Sequence, residues 1–146
     1  WAVRHVNAAH PGNRVPRERL GDAPKCGQCG ASLLDGKPAA LDDANFDAVV
    51  GRTDLPVLVD FSASWCPPCI AMQHDVWPDA EVGRRIEARV VPVMIDVDRD
   101  PRTAGRFEVT GVPTILVLDA DGRVLQQASY LPRSGMLRLL RELPAS

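Results

Sequence analysis

The sequence has no long apolar run. Its longest nearly apolar stretches, Pro56-Val57-Leu58-Val59 and Val90-Val91-Pro92-Val93-Met94-Ile95, fall far short of the ~20 residues that cross a bilayer, so no membrane partner is expected. It also lacks an excess of either charge. Seventeen Lys and Arg against nineteen Asp and Glu give a formal net charge of -2, too balanced for the basic patch of a nucleic-acid binder or the polybasic stretch of a membrane-surface protein. An apolar signal core with a small-residue cleavage site is missing near Trp1-Ala2-Val3-Arg4-His5. The first residue is not Met, so the start can have been trimmed. Internal repeats and low-complexity tracts are absent as well. What remains, 146 residues of which 45% are hydrophobic and 25% charged, fits one globular domain with a short appendage.

Cysteine is sparse but patterned. The four cysteines form two Cys-x-x-Cys pairs, Cys26/Cys29 and Cys66/Cys69, a spacing that suits metal or redox chemistry better than a scattered disulfide framework. Composition changes between the pairs. Residues 1–40 hold six Lys/Arg against three Asp/Glu, many Gly and Pro and no apolar periodicity, whereas the rest holds eleven Lys/Arg against sixteen Asp/Glu. Such a head cannot build a core without a staple. The boundary is placed so that residues 1–37 form an N-terminal extension and 38–146 the main domain.

In the main domain, Leu41 to Val50 reads as a helix with an acidic first turn, ended by Gly51. Pro56 to Phe61 is too uniformly apolar for a half-exposed strand and is expected at the centre of a sheet. Cys66 to Val76 reads as a helix that Pro78 interrupts, with Asp79 opening a second helix through Arg89. Strands follow at Val90–Val97, Pro113–Leu118 and Arg123–Tyr130, the last two joined by an Asp121-Gly122 hairpin turn. A short helix lies between them at Pro101–Phe107, and an amphipathic helix at Pro132–Leu143 closes the chain. This alternation predicts an α/β fold, a mixed sheet flanked by helices.

Trp65-Cys66-Pro67-Pro68-Cys69 lies at a strand-to-helix junction. Cys66 falls at the helix N-terminus, where free N–H groups and the dipole stabilise a thiolate, so it is the expected attacking sulfur. Cys69, about one turn further in, can resolve a mixed disulfide and is expected to be the more buried of the two. Spacing alone leaves a zinc knuckle or an inert pair as alternatives. Asp60, six residues earlier inside the apolar strand, is costly there unless neutralised or used. Desolvation should raise its pKa and fit it to take the proton of Cys69, the plainer alternative being a hydrogen-bonded aspartate at a strand end.

Val59-Asp60-Phe61, Trp65-Cys66-Pro67-Pro68-Cys69 and Gly111-Val112-Pro113-Thr114 together resemble the thioredoxin family over residues 38–146. The resemblance implies a thioredoxin fold, the Cys66/Cys69 pair as the redox centre and a cis Pro113. It further implies that Trp65, Val112 and Pro113 form the surface that binds an extended substrate. Protein-disulfide oxidoreductase activity follows, with disulfide-bearing client proteins and an electron donor such as a thioredoxin reductase as partners, and a monomer in the cytoplasm. Four positions depart from the usual pattern. Pro67 replaces Gly, Ser62 replaces a common Trp, and His74 stands where a kinking proline is usual. Pro92 lies near the place of a lysine that often neighbours the buried aspartate.

The head, with Asn13-Arg14-Val15-Pro16 and Cys26-Gly27-Gln28-Cys29, is similar to the N-terminal zinc ribbon of the bacterial thioredoxin-2 group, which carries two Cys pairs. Here Asn7-Ala8-Ala9-His10 occupies the place of the first. His5 and His10 with Cys26 and Cys29 can complete a two-nitrogen, two-sulfur zinc site. The alternative is a lost metal site with Cys26 and Cys29 free or disulfide-bonded. No organic cofactor is expected. Two rival functions remain: a same-fold thiol oxidoreductase of an oxidising compartment, and a redox-sensing or client-binding module.

Overall fold

A computed structural model describes residues 3–4, 14–15, 38–44, 46–51 and 55–143. In the head, strands β1 (Val3–Arg4) and β2 (Arg14–Val15) pair antiparallel, Val3 opposite Val15 and Arg4 opposite Arg14. Cys26, Cys29, His5 and His10, the expected zinc ligands, lie outside the described residues.

The main domain contains β3 (Ala39–Leu41), α1 (Phe46–Val50), β4 (Val57–Ser62), α2 (Pro67–Asp75), α3 (Ala80–Arg89) and β5 (Val91–Asp96). They are followed by α4 (Pro101–Arg106), β6 (Thr114–Leu118), β7 (Val124–Ala128) and α5 (Arg133–Arg141). The five strands form one sheet in the order β3-β5-β4-β6-β7. β3, β5 and β4 run parallel, and β6 and β7 are antiparallel additions. As its apolar run predicts, β4 is central and buried along its whole length. Its odd-numbered residues Val57, Val59 and Phe61 face a core completed by Phe46, Val50 and Ala104 from α1 and α4. On the other face Leu58 packs with Met72 of α2, Val82 and Ile86 of α3, and Met136 and Leu140 of α5.

Pro78 splits the helical segment rather than kinking it. α2 ends at Asp75, and Asp79 caps the new helix by accepting a hydrogen bond from the Val82 N–H at 3.0 Å. The β6–β7 turn uses Gly122 at φ +83°, a conformation glycine adopts at little cost, while the Asp119 carboxylate accepts the Asp121 and Arg123 N–H groups at 2.9 Å each.

The segment from Leu41 to Val50 is not one helix. Leu41 closes β3, opposite Ile95, and helix begins at Phe46. The acidic residues expected in a first helical turn make a loop instead. Asp42 turns back on the Ala44 N–H at 2.9 Å, and Asp43 reaches the start of α4, where its Oδ1 accepts from Thr103 Oγ1 at 2.6 Å and Thr103 N at 2.8 Å. Asp100, the residue at the N-cap of α4, makes no side-chain cap hydrogen bond there. Asp43 therefore caps a helix about sixty residues away, and these bonds hold its carboxyl below the usual aspartate range.

Candidate active site

Strand β4 leaves the sheet at Ser62, and the short turn Ala63–Trp65 delivers Cys66 to the N-cap of α2. The backbone turns there because Cys66 N donates to Ala63 O at 3.2 Å, while Cys66 O receives the first helical bond, from Ile70 N at 3.0 Å. Pro67 and Pro68 fill the first two helical positions and bring no N–H. The first backbone donor of the helix is thus that of Cys69, and it points at Cys66 Sγ from 3.2 Å. Cys66 and Cys69 are joined as a disulfide with their Cα atoms 5.2 Å apart. On reduction, the same N–H and the helix dipole are placed to favour a Cys66 thiolate.

Both cysteines sit in a small apolar cluster with Ala63, against which Val97 and Val112 pack. Their exposures, 1% for Cys66 and 3% for Cys69, do not make Cys69 the more buried, contrary to the sequence-based expectation. Val97, which the sequence reading did not place at the site, helps to cover the pair together with Val112, which it did. The Val112–Pro113 peptide bond is cis, Pro113 is buried, and Val112 and Thr114 are half-buried. Around the disulfide the surface is apolar and open. Trp65 is 65% exposed and Ile70 40%. The Trp65 indole is tied down by a 2.7 Å hydrogen bond from Nε1 to Asp98 Oδ2. Sequence reasoning missed Ile70 and Asp98. Ile70 was legible as the apolar residue after Cys69, whereas the 33 residues between Trp65 and Asp98 hide that bond.

Asp60 is 3% exposed and lies on the α2 side of the sheet, on the face that Leu58 shares. Burial pushes its carboxyl up to about 7, with the Trp77 indole pulling weakly the other way. That contact falls short of a hydrogen bond, for Asp60 Oδ1 and Trp77 Nε1 both lack a partner among the described residues. The sheet register pairs Met94 with Asp60 and Pro92 with Leu58, which puts Pro92 diagonally across from Asp60 on the same face. The position next to the acid is still uncharged, so burial dominates. His74 is exposed on α2 and is not part of this arrangement. Among the described residues no group of His, Cys, Asp or Glu is arranged to hold a metal ion, and no helix is long and apolar enough to cross a membrane.

A cysteine pair at a helix start, a cis-proline strand entry beside it and a buried acid behind it define a thiol–disulfide oxidoreductase. The comparisons agree. A family model described as a thioredoxin-like domain matches residues 45–144, and one described as thioredoxin 2, N-terminal, a zinc ribbon, matches 10–31. Thioredoxin C-3 of Corynebacterium nephridii is 37% identical over 119 residues, covering 82% of this chain and 79% of that protein. Thioredoxin 2 of Chlorobaculum tepidum is 30% identical, covering 75% and 97%. Among solved structures, chloroplastic thioredoxin z superposes with a TM-score of 0.58 at 25% identity, over 73% of this chain and 93% of that one. The chain belongs to the thioredoxin family, and it is a protein-disulfide oxidoreductase working through Cys66 and Cys69.

Proposed function

We propose that the chain reduces disulfides of client proteins in the cytoplasm and is itself re-reduced by a donor of the thioredoxin-reductase class. The observation that carries this reading is the Cys66–Cys69 pair at the N-cap of α2, with one helical N–H aimed at Cys66 Sγ. Cys66 as thiolate attacks one sulfur of the client disulfide; that S–S bond breaks, and the second client sulfur leaves as a thiolate that takes a proton. Cys69 then gives its proton to Asp60 and attacks Cys66 Sγ; the mixed disulfide breaks, and the first client sulfur leaves as a thiolate that takes a proton. Two electrons pass to the client, and the Cys66–Cys69 disulfide remains. Trp65, Val112 and Pro113 serve as the docking surface for the extended client segment. The test is the reduction potential of the couple. A value near about -270 mV supports a reductant, and one near about -120 mV would assign the protein to oxidation instead.

For the head, the match to a zinc-ribbon model supports a structural metal. Cys26, Cys29, His10 and His5 would hold it, two thiolates and two imidazoles being a complete tetrahedral set. Zinc there would supply folding energy and no redox chemistry. Elemental analysis of protein purified without chelator is expected to give one zinc per chain, lost in His10→Ala. Finding none, with a head that resists protease in chelator, would favour a Cys26–Cys29 disulfide or plain packing.

A further inference from the structure

The interior around the redox centre contains a mismatch. Among the described residues, the buried side-chain oxygen and nitrogen atoms without a hydrogen-bond partner are Asp60 Oδ1 and Trp77 Nε1. One is an acceptor and the other a donor. Leaving either dry is expensive, yet both belong to the same layer: Trp77 packs in the core between β4 and the helices α2, α3 and α5, on the face of the sheet that Asp60 shares with Leu58. The indole is also the side chain that draws the Asp60 carboxyl back down against burial.

We propose that Trp77 is a positioning residue for the proton step: its indole N–H donates to the Asp60 carboxylate in the ionised state, and so sets the pH at which that acid exchanges its proton. A hydrogen bond to an ionised acceptor is about twice as strong as one to a neutral acceptor, so the indole acts mainly on the charged form. Among the described residues no other charged side chain is buried beside it. Met94 and Ile115 flank Asp60 on the neighbouring strands, and the helices over this face turn Met72, Ile86 and Met136 inward. The charged residues of those helices, His74, Asp75, Arg84 and Arg85 among them, stand at exposed or half-exposed positions. Cys69 of α2 becomes titratable once the disulfide is reduced. A tryptophan that only filled space would leave the pH response of Asp60 unchanged when replaced by phenylalanine.

This inference rests on Asp60 acting as the base, and its test keeps the two claims apart. The Trp77 indole N–H resonance of the full chain is followed from pH 5 to pH 9, oxidised and reduced, alongside the Asp60 carboxyl. It is expected to titrate with the Asp60 midpoint and to be flat in Asp60→Asn. In Trp77→Phe the Asp60 midpoint should rise by about one unit, and the pH profile of the resolving step should move with it. A native indole resonance that does not titrate overturns the proposal even if Trp77→Phe fails to fold, and so does an unmoved Asp60 midpoint in a folded Trp77→Phe. Expected titrations with an unmoved pH profile would support the pair and reject Asp60 as the base.

Discussion

Outward from the Cys66–Cys69 disulfide lie Trp65 and Ile70, 65% and 40% exposed, while inward lie Asp60 and Trp77 at 3% and 6%. The outer side is exposed apolar surface, which the proposed function makes the place where a client docks and water leaves. The inner side is already dry, and its one carboxyl feels the low dielectric at full strength. Substitutions outside should therefore change which disulfides are met, and substitutions inside how fast the proton moves.

The largest effect should come at the disulfide between the two sides. Cys66→Ser should abolish disulfide reduction, whereas Cys69→Ser should accumulate mixed disulfides with clients, read as protein adducts that a reductant releases; equal trapping by both variants would remove the division of roles. On the inner side, Asp60→Asn should slow the resolving step roughly a hundredfold, measured by stopped flow, and stabilise the fold. The sign follows from a carboxyl raised from 3.8 to about 7. Below pH 3.8 it is neutral in both folded and unfolded chains and costs nothing. Between there and pH 7 the native protein loses up to ~4 kcal/mol as the unfolded chain ionises more readily, and above pH 7 the loss is constant. The asparagine variant should escape this loss, so the two unfolding curves should converge in acid and separate at neutral pH.

On the outer side, Trp65→Ala should raise KM for protein disulfides severalfold with kcat nearly unchanged. Its unfolding free energy should move by no more than about 0.5 kcal/mol, as expected of an exposed side chain. A fall in kcat instead would mean that the outer surface also shapes the chemistry. The smallest effect is expected away from the centre. Asp43→Ala should lower the denaturation midpoint without altering disulfide exchange in neutral solution. Because the Asp43 carboxyl is held below 3.8 in the fold, its stabilisation is present above that pH and fades as pH falls through the lowered value. The native and variant midpoints should then approach one another in acid.

The sequence carried the inner architecture better than the outer surface. An unbroken apolar run with one aspartate marked β4 as a buried central strand, and Asp-Gly marked the β6–β7 turn, because those signals are local and follow from period and turn chemistry. The Trp65–Asp98 bond and the shared layer of Asp60 and Trp77 were not legible, since each involves residues that only tertiary packing brings together. Asp42-Asp43 misled for a related reason. Two acids before an apolar stretch look like a helix start, and nothing in the local pattern says that the second is needed by α4.

The reach of Asp43 also bears on where the domain begins. A fragment cut at residue 45, where the thioredoxin-like match starts, would retain the cysteines and four of the five sheet strands. It would discard the edge strand ending at Leu41 and, with Asp43, the side-chain acceptor that serves the first amides of α4 among the described residues. That helix leads through Val109 toward the Val112–Pro113 bond, so its fraying would loosen the entry to β6 from a cut made more than sixty residues upstream. The fold thus draws on residues before that match in two ways, through the core side chain of Leu41 and through the hydrogen bonds that Asp43 accepts from α4.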